Sequence, residues 1–426
     1  MIGAGIFALL GQAGAVAGSA VWLSFVIGGA VAMLSGYSLG RLGARYPSAG
    51  GLVEYLVRAW GDGVVAGTGA FLLYLSGVLA LALIAKAFGS YACAIVLGTS
   101  VPWIADMLAL AIVVSLTLLN LRGAGKMATF ENVVVAAKVV VLCLFIAVGA
   151  PFVEAQRLAP AAYPDAFHVA ASVGFTFFAF EGFRVITNAA EDMPDPARQL
   201  PRAMMMAIAL VAVLYVMMSL VVFGNLDIEE ATAAKDFALA RAAEPVLGKT
   251  GFVVVGLAAM VSTASAINAN LYAVTNVAYR MATLGELPAA FGRPISHSRE
   301  GLLITAVIVA LLVPTLDLTS LAVVGSLTIL SVHIAVHVGH LRLVGQTGAS
   351  RALVGLAILA SSGIVVTALG FEFHDAPASA VRLFAVVVAA ALLEFLFRYL
   401  RGRKLSHRNC TAASPASRCS EQNSHV

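Results

Sequence analysis

The sequence predicts an all-α polytopic membrane protein with about twelve transmembrane helices. Of its 426 residues, 61% are apolar and only 11% are charged, and the mean hydropathy is +0.95. A soluble domain usually carries about 25% charged residues, so a water-soluble fold of this size would lack the polar surface that it needs. The net charge of +4 gives no indication of a nucleic-acid-binding protein.

Apolar blocks of membrane length recur along the chain and define the predicted spans. About 20 residues of helix cross the roughly 30 Å of hydrocarbon in a bilayer. Because lipid offers no partners to backbone amides and these blocks are continuous rather than alternating, helices are favoured over strands. The predicted spans cover residues 2–18, 21–40, 64–98, 101–119, 133–153, 166–190, 203–226, 251–280, 302–316, 321–341, 352–371 and 378–400.

The first predicted span, residues 2–18, carries no charge, and the first basic residue of the chain is Arg41. A cleaved signal peptide begins with basic residues, so we interpret this segment as part of a spanning helix. It is too short both to cross the bilayer and to contain the break described below. We therefore expect the first helix to be truncated at its amino end and the native protein to carry an upstream extension of about 20 residues.

Lysine and arginine are unevenly distributed between the two sets of loops. The loop after residues 21–40, every second loop after it and the C-terminal tail hold eighteen of the 26 basic residues, whereas the opposite loops hold five. Cytoplasmic loops retain positive charge, so we predict that this side and the C-terminus are cytoplasmic in a multi-pass protein of the plasma or inner membrane. The Ser-rich residues 406–426 are expected to be a disordered tail.

Glycines near the start of the chain form the first candidate binding feature. Gly3, Ala4 and Gly5 precede a further row of small residues. Glycine lets a backbone leave helical geometry, and the amides at the start of the following helix would then face an anion such as a carboxylate. The alternative is that the small residues only allow close packing between helices.

A carboxylate and a glycine in an aromatic segment form the second candidate feature. Residues 175–184 contain Glu181 and Gly182, preceded by four phenylalanines. Secondary transporters build midplane sites from interrupted helices, so freed carbonyls and aromatic walls would surround a ligand here. Alternatively, Glu181 forms a local ion pair with Arg184, three residues later, and binds no ligand.

Two lysines lie inside predicted spans, where a charge is costly. Lys138 is roughly 7 Å from the start of its span at 1.5 Å per residue, so its ammonium could extend to the membrane surface. If it lies among helices instead, loss of water would let it gain and lose a proton during a transport cycle. Lys86 is either a functional group or a lysine that faces a polar seam or a helix end.

Several motifs together resemble the amino acid permeases of the amino acid-polyamine-organocation superfamily. The likeness covers nearly the whole chain, and the motifs are specific in combination although each alone is weak. They are IGAGIF at residues 2–7, RYPSAGG at 45–51, LNLRG at 119–123, FFAFEGF at 177–183, AED at 190–192, LPR at 200–202, SAIN at 265–268, AYRMA at 278–282, GELP at 285–288 and HLR at 340–342.

The resemblance implies a fold of two inverted five-helix repeats, residues 1–150 and 166–342, followed by two peripheral spans within residues 352–400. It also implies that the first and sixth spans are broken at the site that binds the substrate. The site residues would be Gly3, Ala4 and Gly5 at the α-carboxylate, the carbonyls around Phe178, Ala179 and Phe180 at the α-ammonium, and Glu181 and Gly182 next to the break.

The resemblance also implies a coupling site. In proton-coupled members of this superfamily, a lysine of the fifth span occupies the place of a sodium ion near the first and eighth spans, and Lys138 matches that position. Ser262 and Ser265 of the eighth span would be its neighbours. The alternative for both serines is a hydrogen bond to the backbone of their own helix.

These features predict a secondary active transporter that takes up amino acids with protons by alternating access. The alternatives are an exchanger of polyamines and amino acids, a membrane sensor that binds without transport, and an intramembrane enzyme. His333, His337 and His340 share one helix face and could form a metal site, but polar packing is favoured because no carboxylate or cysteine accompanies them in the sequence.

The expected partners are therefore an amino acid, the proton as coupling ion and the lipid bilayer, and we assign no metal, cofactor or nucleic acid. The aromatic and apolar residues around the second feature favour a neutral amino acid. Glu181 would instead favour a cationic one, and the sequence leaves this choice open.

Overall fold

The structure of the protein is a computed structural model that describes residues 1–123 and 127–375 and the single positions 381, 385, 388 and 392. For residues 4, 127–132 and 375 it describes the backbone alone. The predicted tail at 406–426, and the predicted span at 378–400 apart from those four positions, lie outside the described residues.

The described chain folds into α-helices joined by short loops and 3₁₀ turns. Two short strands, β1 (Pro294–Ile295) and β2 (Ser298–Arg299), pair antiparallel. The α-helices are α1 (Ala4–Ala17), α2 (Val21–Arg45), α3 (Leu52–Trp60), α4 (Val64–Leu97), α5 (Pro102–Leu121), α6 (Met127–Gly149), α7 (Ala166–Phe180), α8 (Pro196–Asn225), α9 (Ile228–Ala233), α10 (Ala238–Leu284), α11 (Glu300–Thr315), α12 (Leu318–Thr347) and α13 (Arg351–Asp375).

The helices confirm the predicted fold class, an all-α polytopic membrane protein. Nine helical stretches of the described chain are long and apolar enough to cross a membrane, and α11 is a shorter apolar helix. Helices α1 and α2 count as one stretch because only the 3₁₀ turn Gly18–Ala20 separates them. Each predicted span up to residue 371 overlaps one helix, whereas α3 falls in a predicted loop.

Helix α10 is longer than its predicted span, residues 251–280, because two helices meet inside it. Gly248 has φ 62° and ψ −161°, a conformation that glycine adopts at little steric cost. Pro245, just before it, removes a backbone donor from the same stretch. The helix therefore bends at Gly248, and the part after the bend corresponds to the predicted span.

Polar residues and glycine set the ends of several helices at the surface of the bundle. The Asp165 side chain accepts a hydrogen bond from the backbone N–H of His168 at 2.9 Å, which satisfies one of the donors that a helix start leaves unpaired. At the start of α8, the Asp195 side chain likewise accepts a hydrogen bond from the backbone N–H of Arg198. At the C-terminal end of α12, Gly348 adopts the left-handed conformation, with φ 64°, that commonly terminates helices.

Helix α4 forms the centre of the bundle, where it packs against α10, α12 and α5. In its most apolar stretch of 18 residues, 83% of the residues are buried, whereas the corresponding share is 22% in α5 and 28% in α6 and α13. The outer helices carry exposed apolar side chains such as Trp103 and Leu359, which are 66% and 71% exposed. In a membrane-spanning bundle these side chains contact lipid.

Candidate functional site

A cavity of about 440 Å³ lies among α1, α4, α6, α7, α8 and α10. This volume falls within the range of small-molecule sites, about 300–1,000 Å³. The wall is mostly apolar. Its polar groups are the backbone at the start of α1 and the side chains of Lys138, Glu181, Arg184, Ser265 and Asn270. An apolar cavity with a few convergent polar groups suits a small, partly charged ligand.

Helix α1 begins at the wall of this cavity. Gly3, which precedes the helix, has φ −154° and ψ −133° and lies outside helical geometry, and both Gly3 and Gly5 line the cavity. The first backbone N–H groups of a helix have no partner within the helix, and the helix dipole places positive partial charge at this end. The start of α1 therefore presents hydrogen-bond donors that suit an anionic group.

Helix α7, which faces α1, changes type at the cavity. Its α-helical part ends at Phe180, and Glu181–Asp192 continue as a 3₁₀ helix of 12 residues. Runs longer than three or four residues are uncommon for 3₁₀ helices, which usually occur as short pieces at the ends of α-helices.

The predicted break between Phe178 and Gly182 is thus a tightening of the helix and not an unwound gap. The cause is that i→i+3 hydrogen bonds replace the α-helical ones: the Phe178 carbonyl accepts the N–H of Glu181. A carbonyl oxygen has two lone pairs. One acceptor position of the Phe178 carbonyl is therefore occupied by the N–H of Glu181.

Glycines bring the backbones of the two features into contact. A Cβ at Gly5 would overlap the Ala179 carbonyl oxygen, and a Cβ at Gly182 would lie 2.8 Å from the Met1 Cα. A Cβ at Gly3 would lie 2.7 Å from the Ala266 Cβ on α10. The small residues therefore permit close packing, which was the alternative to a ligand role, and the same glycines also line the cavity.

Glu181 and Arg184 form a buried ion pair in the cavity wall. Arg184 Nε lies 2.8 Å from Glu181 Oε1, and the two side chains are 5% and 7% exposed. A 3₁₀ helix has three residues per turn, so residues three apart share a face. The local pair that the sequence allowed is therefore present, and Glu181 already has a compensating charge without a ligand.

Lys138 of α6 lies inside the bundle, with 6% of the residue exposed. Its Nζ is 3.4 Å from Ser265 Oγ of α10. Ser262, three residues earlier on α10, donates a hydrogen bond to the Ile2 carbonyl at 3.3 Å. Helix α6, helix α10 and the segment before α1 therefore meet around the lysine.

The cavity brings together most of the residues predicted for the site. Of the described residues, those on the wall include Gly3, Gly5, Phe178, Ala179, Glu181, Gly182, Lys138 and Ser265. The Phe180 ring is directed elsewhere and packs against Phe25 and Tyr215, and Ser262 bonds to the backbone beside the wall. Ala4 occupies the first turn of α1, where its backbone alone is described.

Two of the polar side chains on the wall, those of Arg184 and Asn270, were not predicted as site residues. Arg184 had a signal in the sequence, its spacing from Glu181, which we interpreted as the alternative to a binding role. Asn270 follows the SAIN motif inside an apolar span, and its polarity was the only indication. Its amide donates to the Ala266 carbonyl of its own helix at 2.9 Å.

Lys86 lies outside the wall and joins three helices. Its Nζ is 2.5 Å from Asp106 Oδ1 of α5 and 2.8 Å from the Val313 carbonyl of α11. That carbonyl belongs to the last turn of α11, where acceptors lack partners within the helix. Lys86 therefore has a structural role at a helix end, one of the two alternatives that the sequence left open.

The three histidines of α12 are buried against α2, where they hydrogen-bond with Ser35 and Ser38. Among the side chains that the structure describes, no group of three or more His, Cys, Asp or Glu is arranged to hold a metal ion. The contacts agree with polar packing between helices.

A polar contact lies at the far end of α1, away from the cavity. Gln12 Nε2 donates to Asp236 Oδ1 at 2.8 Å, and Gln12 Oε1 accepts from Thr319 Oγ1 at 2.7 Å. These bonds join α1 to the loop before α10 and to the start of α12. Burial raises the pKa of the Asp236 carboxyl above its usual value, although the charges of Lys235 and Lys86 oppose this change.

Comparison with known proteins places these features in context. The amino acid permease family matches residues 1–394. The inner membrane transport protein YbaT of Escherichia coli is 37% identical over 345 residues, which cover 80% of each chain. The branched-chain amino acid permease BcaP of Bacillus subtilis is 24% identical over 77% of this chain and 75% of its own. The methylthioribose transporter of Bacillus subtilis is 26% identical over 69% of this chain and 66% of its own.

Proposed function

The chain belongs to the amino acid permease family and is a transporter of that type, and on this premise we propose that it takes up amino acids with protons by alternating access. The observation that carries the proposal is the cavity between the start of α1 and the change of helix type in α7, in the interior of a membrane-spanning bundle. Transporters commonly bind their substrates between such helix interruptions near the membrane midplane.

The proposed recognition of the substrate uses backbone groups at both interruptions. The amides at Gly3, Ala4 and Gly5 would bind the α-carboxylate, because a helix start combines free donors with a favourable dipole. The carbonyls of Phe178, Ala179 and Phe180 would accept from the α-ammonium. These groups select the zwitterionic part that all α-amino acids share and leave the side chain to the cavity wall.

The wall favours a neutral side chain on the substrate. It is built largely from aliphatic residues such as Leu83, Ile84 and Leu210. Glu181 could attract a cationic side chain, but Arg184 already neutralises it at 2.8 Å. The carboxylate therefore offers less attraction to a second cation than its position in the sequence suggested, and a neutral amino acid is the proposed substrate class.

Lys138 is the proposed coupling group for the proton. It is buried among α6, α10 and the segment before α1, where a charged ammonium loses its hydration. A change in its protonation would alter how α6 and α10 contact the start of α1. Ser265 would stabilise the protonated form by accepting a hydrogen bond, and Ser262 would fix the backbone at Ile2.

Alternating access is proposed to follow from the two repeats, residues 1–150 and 166–342, which would move relative to each other around the cavity. The contact of Gln12 with Asp236 and Thr319 is a suitable outer barrier, because it joins α1 to α12 and to the loop before α10. Outer here means the side opposite to the arginine-rich loops, which the positive-inside rule assigns to the cytoplasm.

The experiment that tests the function uses the purified chain in proteoliposomes. A panel of radiolabelled amino acids is offered with and without an imposed pH gradient. We expect saturable uptake of neutral amino acids that is stimulated when the outside is acidic. Lack of both uptake and counterflow for every amino acid, or transport of methylthioribose alone, would contradict the proposal.

The coupling role of Lys138 predicts a separation of two activities. In the Lys138→Ala variant, accumulation driven by a pH gradient should be lost, whereas counterflow of labelled for unlabelled substrate should persist because the cavity is retained. Lys249→Ala, which removes an exposed lysine from α10, is the matched control. Gradient-driven accumulation at the wild-type level in Lys138→Ala would refute the assignment.

A further inference from the structure

Three histidines of α12 line one face of the helix in the interior of the bundle. His333, His337 and His340 are each 0% exposed. A neutral imidazole carries one N–H donor and one acceptor nitrogen, and buried polar groups of this kind are almost always hydrogen-bonded. For these rings the partners come mainly from α2.

Two serines of α2 connect the three rings. Ser35 Oγ lies 2.7 Å from His333 Nδ1 and 2.8 Å from His337 Nε2. Ser38 Oγ lies 2.9 Å from His337 Nδ1 and 2.8 Å from His340 Nδ1. A hydroxyl can donate one hydrogen bond while it accepts another, so the five side chains form a continuous single file of hydrogen bonds.

One end of this file meets the cavity. His333 Nε2 lies 3.5 Å from Oε1 of Glu181, whose carboxylate lines the cavity wall. Glu181 Oε1 also pairs with Arg184 Nε at 2.8 Å, whereas His333 Nε2 has no hydrogen-bond partner within the described part of the chain. A closer approach of about half an ångström would give an ordinary hydrogen bond between His333 Nε2 and Glu181 Oε1. The two buried groups are therefore positioned to exchange a proton.

The other end approaches the face that carries the arginine-rich loops. His340 Nε2 lies 2.9 Å from Thr347 Oγ1. Thr347 is the last residue of α12 and is half-buried, and Gly348 after it is exposed. Water at this surface is therefore one hydroxyl away from the last ring.

We propose that these side chains form a proton relay between the cavity and the arginine-rich face of the membrane. The relay consists of Glu181, His333, Ser35, His337, Ser38 and His340. The inference rests on the proposed proton-coupled transport, and it assigns the route by which the proton leaves the cavity.

Two arrangements of protons satisfy every bond of the relay. In the first, protonated Glu181 donates to His333 Nε2, and each following group donates towards Thr347. In the second, each group donates towards Glu181, which is ionised and accepts the N–H of His333. Passage from the first to the second moves one proton across each hydrogen bond. Glu181 loses one proton, and one proton leaves His340 Nε2 for water at Thr347.

This passage moves a proton through the bundle without moving a charged side chain through it. Every ring begins and ends neutral, so the cost of a buried imidazolium is confined to the transfer itself. The reverse passage loads Glu181 from the arginine-rich face. The direction of net flow then follows the proton gradient and the occupancy of the cavity.

Most charged and titratable groups on the neighbouring elements have partners outside the relay, and Arg184 pairs with Glu181 itself. The charge at the cavity end is therefore set by Glu181, Arg184 and Lys138, which lines the same cavity. The other groups are Arg41 over the Tyr37 ring, Glu54 bonded to Arg58 and Arg280, Arg342 over the Trp60 ring, Lys86 bonded to Asp106, Tyr74 bonded to Thr305, and the buried Tyr55 and Glu372.

The test uses the full chain in liposomes that contain a pH-sensitive dye. His337→Gln keeps hydrogen-bonding groups but replaces the ring with an amide that does not relay protons, and Ser38→Ala removes one connecting oxygen. The matched control is Ser219→Ala on α8, because Ser219 is buried and donates to the Val216 carbonyl of its own helix at 2.7 Å. The measurements are proton entry driven by a neutral amino acid and amino acid counterflow without a pH gradient.

In both relay variants we expect proton entry to slow by about a hundredfold, the scale of positioned proton transfer, while counterflow stays at the wild-type level. The control should match the wild type in both measurements. Wild-type proton entry in both relay variants would overturn the relay and leave the proposed function intact, whereas a wild-type protein without counterflow would overturn the function itself. If His337→Gln also loses counterflow, proton entry in Ser38→Ala alone tests the relay: slowed entry supports the relay, and entry at the wild-type rate overturns it.

Discussion

At the scale of single residues, the cavity wall combines glycines that allow backbones to approach closely with a buried ion pair beside them. Glycines at Gly3, Gly5 and Gly182 indicated irregular backbone, and the structure shows that they also allow three backbones to approach closely. The spacing of Glu181 and Arg184 allowed a pair, which is present. The sequence could not show that His333 faces Glu181, because that contact depends on how α12 packs against α7.

The close approach at Gly5 predicts a cost for the smallest added side chain. In Gly5→Ala the new methyl would overlap the Ala179 carbonyl, and overpacking of this kind costs about 1–3 kcal/mol. We expect a lower melting temperature in detergent and slower substrate counterflow. Gly363→Ala is the control: it lies in α13 with nothing within 4 Å of the added Cβ, so the better helix propensity of alanine should stabilise it slightly. Equal melting temperatures for both variants would contradict this account.

The buried ion pair predicts strongly non-additive effects on stability. Arg184→Met leaves the Glu181 carboxylate buried without its cation, and loss of one partner of such a pair costs about 3–5 kcal/mol. The double variant Glu181→Met, Arg184→Met removes both charges and should be more stable than Arg184→Met alone. Equilibrium unfolding of the single and double variants measures the coupling. Additive single effects would show that the two charges do not interact.

At the scale of helices, the hydrophobic pattern predicted positions well and helix type poorly. Predicted spans and observed helices overlap throughout the described chain, because membrane-length apolar runs have few other stable forms. The bend at Gly248 and the 3₁₀ stretch Glu181–Asp192 were not predicted in this form. Gly248 and Pro245 permit the bend locally, but their presence does not show that two helices meet there, and the apolar pattern of residues 166–190 does not distinguish a 3₁₀ stretch from an α-helical one.

The contact at the far end of α1 is predicted to weaken as the pH rises. Burial raises the pKa of Asp236, so the closed contact favours the protonated carboxyl. The contribution of the protonated carboxyl to the stability of this contact is present at acidic pH and is lost as the pH rises through the raised pKa. Asp236→Asn imitates the protonated form and should stay closed at neutral pH.

Hydrogen–deuterium exchange of the loop between α9 and α10 measures this difference. At neutral pH, the wild type should exchange faster than Asp236→Asn, and at acidic pH the two should agree. The intrinsic pH dependence of exchange is nearly the same in both proteins, so the comparison at each pH reports the contact. Faster exchange in the asparagine variant at neutral pH would contradict the assignment.

At the scale of the whole molecule, composition and span count were sufficient to predict a polytopic helical membrane protein. The resemblance added the transporter function, and the family match over residues 1–394 agrees. Most residues predicted for the site line one cavity because two distant segments, near residues 3–5 and 178–182, meet in the bundle. The resemblance anticipated that meeting, whereas spacing alone could not. The proposed relay through α2 and α12 could not be predicted from the sequence. It combines side chains about 300 residues apart, and their pairing depends on the complete fold.

The central claim is that backbone groups of α1 and α7 bind both charged ends of an amino acid. The most direct measurement is competition for counterflow by three forms of one neutral amino acid: the zwitterion, its methyl ester and its decarboxylated amine. We expect the zwitterion to compete, whereas the ester and the amine, which each lack the α-carboxylate, should not. Equal competition by the amine would show that the start of α1 binds no carboxylate and would contradict the account.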